Sequence, residues 1–276
     1  MVNNTTIERS VNIEAVNIQR PKISFPMIAS IPHGSSCITS EMENIMIQNV
    51  LLTNNDWFLN ELYDFLSKIN ITKISANYSR YVVDVNRNIN KKHIEGDYTE
   101  SLVYHKTTFG KNIYENSLPS KVVENRIKEF YEPYHTCLLN ETNSSLKQWN
   151  KVYLFDLHSF YAQSTADIVL GTCGRSTCSH EFLYSVYKSF SEEGFTVKID
   201  EKGLKGGYIV SHYSSIENVE AIQIEIRYTT YIEDRYFGEE VVYYKDDILF
   251  NKAKERLTRV FKNIVKIVGN RLSINC

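Results

Sequence analysis

Apolar residues along the chain follow two periods. Ser24–Ile31 (SFPMIASI) and Val152–Asp156 are short, nearly continuous apolar runs, as expected of strands covered on both faces. Lys73–Tyr78, Tyr81–Val85 and Phe195–Ile199 read as further strands, and Val219–Tyr228 alternates Ile with Gln, Glu and Arg, predicting a strand with one polar face. Between the strands lie helical patterns. Asn55–Lys68 carries apolar residues at Trp57, Phe58, Leu62, Phe65 and Leu66. Pro119–Trp149 reads as one helix or as two broken at Pro133, and His180–Glu193 as another. Asp246–Val268 carries Ile248, Leu249, Ala253, Leu257, Val260, Phe261 and Ile264 on one stripe. Strands alternating with helices predict an α/β fold in three layers, a mixed but mostly parallel sheet with helices on both faces. Residues 88–117 are polar and aperiodic, a long loop or small subdomain of the kind that usually serves function or carries structure of its own.

Composition narrows the picture. A chain of 276 residues suits one domain spanning residues 1–276, with residues 1–20 as a loosely packed lead-in. At that size a core can bury about three quarters of the unfolded surface and needs no disulfides. Five cysteines at irregular spacing (Cys37, Cys137, Cys173, Cys178, Cys276) form no disulfide framework and fit a reducing cytoplasm. Cys173 and Cys178 have no second Cys/His pair at zinc-module spacing. The net charge of -2, without a basic block, argues against a nucleic-acid partner. No apolar leader or membrane-length apolar run is present, so no membrane partner is expected. Nothing in the sequence fixes the oligomeric state.

Candidate chemistry gathers at predicted strand ends, where open α/β sheets build their sites. His33 follows the first apolar run, His158 the fourth, and Glu225 lies on the alternating strand. Two neutral imidazoles and a carboxylate make a metal-ligand set, and a further carboxylate can take a proton from an activated water. Taken singly, each residue also has an ordinary structural role: a capping or core histidine, or a solvated glutamate. Arg80, Asn86 and Arg87 form a second group, since a guanidinium matches a carboxylate with two hydrogen bonds, and Arg80 and Arg87 can equally pair with Asp84. No GxSxG, Walker A or GxGxxG motif occurs, so serine-hydrolase, nucleotide and dinucleotide readings lose support.

The segments IPHG (31–34), NNDWFLNELYDF (54–65), SRYVVDVNR (79–87), YEPYH (131–135), FDLHS (155–159), LGT (170–172), GGYI (206–209) and IQIEIRYTTYI (222–232) resemble the N-formylglutamate amidohydrolase family, in the same order, across about residues 28–235. That family is similar in fold and site chemistry to zinc carboxypeptidases and aspartoacylases. The resemblance implies one Zn2+ ion, or another divalent ion, held by His33 and His158. Zinc carboxypeptidases place a Glu three residues after the first His, where this chain has Ser36, so the resemblance points to Asp56 as third ligand, with Glu41 and Glu43 as alternatives. Asp56 can instead cap the predicted helix. Glu225 is the implied general base, with Gln223 on the same strand face lining the pocket. Arg80 would polarise the scissile carbonyl and Asn86 with Arg87 would hold the substrate carboxylate. His135 matches a family position behind the ligands or in the pocket, and Arg175, Gly206, Gly207, Arg227 and Tyr231 are lesser substrate-contact candidates. The implied reaction is hydrolysis of a small acidic N-acyl amino acid, such as N-formyl-L-glutamate to formate and glutamate. Two alternatives stay open: the same chemistry on another N-acyl or peptide-like bond, and a metal-free binding protein on this fold.

Overall fold

A computed structural model describes residues 14–90, 95–96, 98 and 101–273. In chain order its elements are β1 (Val16–Gln19), β2 (Met27–Ile31), α1 (Ser40–Ile45), α2 (Leu59–Leu62), β3 (Thr72–Ala76), β4 (Glu95–Gly96), β5 (Val103–Tyr104), α3 (Ser120–Arg126), α4 (Glu132–Trp149), β6 (Val152–Phe160), β7 (Ile168–Gly171), α5 (His180–Glu192), β8 (Val197–Ile199), α6 (Tyr208–Tyr213), β9 (Val219–Arg227) and α7 (Asp247–Leu272). The main sheet runs β1-β3-β2-β6-β9-β7-β8. β3, β2, β6 and β9 are mutually parallel, while β1 and β7 run antiparallel to their neighbours β3 and β9. The expected α/β class and the mixed, mostly parallel sheet are both present. No helix among the described residues is long and apolar enough to cross a membrane.

Alternation along the central strands sorts side chains into two cores. On one face Met27, Ala29 and Ile31 join Phe155, Leu157, Ile222, Ile224 and Ile226 beneath α2, α5 and α7. On the other, Ile28, Val152, Leu154, Val219 and Ala221 pack under α1, α3, α4 and α6. Each fully buried Leu, Ile, Val or Phe contributes about 1.5–3 kcal/mol, which is what holds the helices against the sheet. Three helices begin on side-chain caps: Thr39 Oγ accepts from Met42 N–H, Ser179 Oγ from Phe182 N–H and Asp246 Oδ1 from Leu249 N–H.

Several expectations shift. Residues 1–13 of the expected lead-in lie outside the described residues, and Val16–Gln19 is an edge strand. Tyr81–Val85 is not a strand. Tyr81, Val82, Val83 and Val85 are all buried, so its apolar run records burial on every side of a looped segment. Asn55–Lys68 is not one helix: Phe58 takes a left-handed conformation, so only α2 and a 3-10 turn at Leu66–Ile69 form. Pro119–Trp149 follows the first alternative, one helical run from Ser120 to Trp149 that passes through a π-turn at Ile127–Tyr131 and does not break at Pro133, which sits in the first turn of α4. Residues 88–117 contain the β4–β5 pair, an independent small sheet seated by buried Leu102, Val103, Tyr104 and Ile113.

Candidate active site

One face of the sheet changes character along its length. In the β6–β9 register Val152 lies beside Val219 and Leu154 beside Ala221; then Asp156 lies beside Gln223 and His158 beside Glu225. The same period of two that puts the first four into a core puts the second four at the carboxyl end of the sheet, under a cavity of about 560 Å3. His33, two residues past β2, and Asp56, just ahead of α2, enter the same cavity.

His33, Asp56 and His158 converge there. Each offers one ligand atom, these atoms lie within 4.8 Å of one another, and all three residues are buried. Each ring uses its other nitrogen on a carboxylate. His33 Nε2 donates to Asp84 Oδ1 at 2.7 Å, and His158 Nε2 to Asp156 Oδ2 at 2.9 Å. This turns both Nδ1 atoms inward, the carboxylate–histidine arrangement that orients metal-binding imidazoles and sets their neutral tautomer. His158 Nδ1 lies 3.0 Å from Asp56 Oδ2. His33 Nδ1, 3.7 Å from the same oxygen and beyond hydrogen-bond reach, is a buried nitrogen with no partner. An orphaned imidazole nitrogen, a second inward nitrogen and a carboxylate at this spacing fit a divalent cation well.

Asp56 does not cap a helix. The residue before α2 is Phe58, which makes no side-chain cap. The Asp56 carboxylate instead accepts from Ser159 Oγ at 3.2 Å. Its loop is pinned on both sides, because Tyr228 donates to Asn55 O and Tyr231 to Trp57 O. Glu41 is bound to Arg126, and Glu43 is exposed; neither lines the cavity.

The protonation environment separates the two histidines. Burial, aided by the Arg80 charge, lowers His33 to about 4, so it stays neutral. Burial would lower His158 too, but the Asp156 and Asp56 carboxylates outweigh it and hold the ring well above an ordinary imidazole. A cation held at this centre would compete with a proton on His158. Burial lifts Glu225 to about 8. Its Oε1 accepts from Gln223 Nε2 at 2.8 Å, while Oε2 is buried without a partner.

Arg80, Asn86 and Arg87 all line the cavity. Arg80 donates to Asp84 Oδ2 at 2.8 Å and lies over the Tyr98 ring at 4.7 Å; Arg87 donates to the carbonyls of Asn86 and Tyr98 at 3.2 Å each. Both Nε atoms are buried and unpartnered. Asp84 thus serves the arginines and His33 together, and Tyr104 donates a short hydrogen bond to it. Asn86 lines the cavity as expected, with its amide oxygen on Ile209 N–H and one amide N–H on Asp156. Gln223 lines the cavity, yet its amide is likewise occupied, by Gly207 N–H and Glu225.

Three further candidates lie outside the cavity. Arg227 reaches the carbonyl of Thr165 at the surface, because the last residue of β9 has passed the cavity mouth. Tyr231 is fully buried and supports the Asp56 loop. Arg175 also lies elsewhere, whereas Gly206 and Gly207 do line the cavity. His135 sits behind the wall, with Nε2 on Val85 O at 2.8 Å and Nδ1 beside Tyr213 Oη at 3.1 Å. Asp156 is a site residue that sequence reasoning missed, although the alternation in VYLFDLHSF puts it on the face of His158.

The family model for N-formylglutamate amidohydrolase matches residues 25–232. An N-formylglutamate deformylase of Pseudomonas aeruginosa is 27% identical over 235 residues, covering 80% of this chain and 87% of that protein. One from Pseudomonas putida is 25% identical over 235 residues, with 81% and 86% covered. The crystal structure of N-formylglutamate amidohydrolase from Ralstonia eutropha JMP134 superposes with a TM-score of 0.81 at 21% identity, covering 94% of this chain and all of that one, a likeness of fold.

Proposed function

The chain belongs to the N-formylglutamate amidohydrolase family, and from that membership we propose that it is a metal-dependent hydrolase of small acidic N-acyl amino acids, with N-formyl-L-glutamate as substrate. The observation that carries this reading is the convergence of His33 Nδ1, His158 Nδ1 and the Asp56 carboxylate, each ring backed by a carboxylate, beside a Glu225 oxygen with no partner. The two deformylases that match most of the chain are named for the same substrate.

Zn2+ held by His33, Asp56 and His158 would supply Lewis acidity, acidifying a water and polarising a carbonyl. The chain's own groups account for the rest. Arg80 and Arg87 both line the cavity and form a cationic wall suited to a substrate with two carboxylates. Glu225 Oε2, in the ionised form that a neighbouring cation would favour against the burial that lifts it to about 8, takes a proton from the attacking water, and the water oxygen bonds to the formyl carbon. When the C–N bond breaks, the same oxygen returns the proton to the leaving nitrogen, giving formate and glutamate. Asp84 and Asp156 hold both imidazoles with Nδ1 inward.

Metal content and hydrolysis before and after chelation test the metal, and a panel of N-formyl, N-acetyl and N-succinyl amino acids tests the substrate. The expected result is one Zn2+ per chain, activity lost on chelation and regained with Zn2+, and preference for N-formyl-L-glutamate. Full activity in metal-free protein would sink the metal assignment. Equal rates across the panel would sink the substrate.

A further inference from the structure

The turn that opens α6 meets two side-chain amides, and each amide reaches from it to a reactive group. Gln223 Oε1 accepts from Gly207 N–H at 2.8 Å while its Nε2 donates to Glu225 Oε1 at 2.8 Å. Asn86 Oδ1 accepts from Ile209 N–H at 2.8 Å while its Nδ2 donates to Asp156 Oδ2 at 3.2 Å, the oxygen that also receives His158 Nε2–H. The amide orientations are forced, because a backbone N–H needs an oxygen and a carboxylate needs a donor. Both side chains are buried. The turn is built for close approach. A Cβ on Gly207 would stand 2.4 Å from Asn86 Nδ2, and one on Gly171 would stand 2.6 Å from Gly206 N, where the end of β7 abuts the turn.

We propose that Gly206–Ile209 is a brace whose two amide struts are positioning residues: Gln223 aims the Glu225 carboxylate, and Asn86 holds Asp156 on His158. Gln223 fills one oxygen of Glu225 and so leaves Oε2 as the one that faces the reaction. Asn86 fixes the carboxylate that sets the tautomer and rotation of the His158 ring. The roles of Glu225 and His158 in this statement rest on the function proposed above.

The test uses Gln223→Leu, Asn86→Leu and Gly207→Ala in the full-length protein, with kinetics on N-formyl-L-glutamate, Zn2+ affinity by chelator competition, and crystal structures of the metal-free variants. For Gln223→Leu the expected result is a kcat loss of about 10–100-fold, KM within about twofold and unchanged Zn2+ affinity. Asn86→Leu and Gly207→Ala should each weaken Zn2+ affinity by about 10–100-fold. In metal-free Gly207→Ala the Asn86 amide should leave Asp156 and the His158 ring should turn from Asp56. A rise in KM with intact kcat for Gln223→Leu overturns its strut role, because it makes Gln223 a substrate contact. Unchanged Zn2+ affinity in both other variants, or an Asn86 amide still seated on Asp156 in Gly207→Ala, overturns the Asn86 strut. If the wild type neither hydrolyses the substrate nor binds Zn2+, the proposed function fails, while the metal-free structures still decide the brace.

Discussion

Two histidine clusters lie on the same side of the sheet, and only one of them reads as a metal centre. Burial depresses His33 and His135 alike, each to about 4. By basicity the two cannot be told apart. They differ in how their nitrogens are used. His135 has both ring nitrogens engaged, by Val85 O and Tyr213 Oη, and tyrosine rings surround it. His33 has one nitrogen on Asp84 and one with no partner, turned toward a second histidine and a carboxylate. An unpaired buried polar atom costs about 1–3 kcal/mol, a cost that a bound cation would offset at His33. The orphaned nitrogen, more than the shifted basicity, marks His33 rather than His135 as the proposed ligand. His135 still has work to do: by holding Val85 O it steadies the loop that delivers Asp84, Asn86 and Arg87.

The sharpest way to break the comparison is to remove a ligand. His158→Ala should abolish Zn2+ binding and lower kcat by more than the about 10²–10⁴-fold attached to losing a general base, measured by metal analysis and turnover. Glu225→Gln should fall within that range with Zn2+ still bound, because only the proton acceptor is lost. This substitution also carries a pH signature in the chelated protein. Glu225 is raised from 4.5 to about 8, so it contributes stability that is whole below pH 4.5 and is lost as pH rises through 8. The stability of wild type minus Glu225→Gln should therefore decline between pH 5 and 8 by a few kcal/mol, at about 1.4 kcal/mol for each pH unit crossed. A flat difference in thermal melts would show that the carboxyl is not held protonated by its burial.

A third step leaves the ligands in place and weakens their support. Asp156→Asn removes the charge from the acceptor of His158 Nε2–H and leaves one oxygen to serve Ser30, Asn86 and His158, and should cost about 10–100-fold in Zn2+ affinity. Chelator competition reads this directly, and an unchanged affinity would mean that packing alone orients the ring.

How far the site could be read from the chain follows from where each residue gets its orientation. His33, His158 and Glu225 take theirs from strands, and a period of two, or the end of a run, is visible in sequence. Asp56 takes its own from a left-handed Phe58 and from two tyrosine hydroxyls more than 170 residues away, so its sequence context showed only a helix start. Asn86 and Gln223 sit in the cavity as expected, yet their amides are turned by backbone N–H groups at the start of α6, and no local pattern encodes that. The same logic covers the fold. The helices and central strands follow from period, while Tyr81–Val85 misleads because a run buried on every side has no period to show.

The smallest expected effect is the one that holds the comparison together. His135→Asn should leave Zn2+ content and kcat within about threefold of wild type, because the ring touches neither the cavity nor a ligand. It should lower stability by about 1–3 kcal/mol, since Val85 O and Tyr213 Oη then share a shorter side chain that cannot reach both. Urea unfolding alongside metal analysis separates these outcomes. If His135→Asn instead loses Zn2+ as readily as His158→Ala, the loop under Val85 is coupled to the ligands more tightly than its hydrogen bonds indicate. In that case the count of unpartnered nitrogens no longer separates a metal histidine from a structural one in this protein.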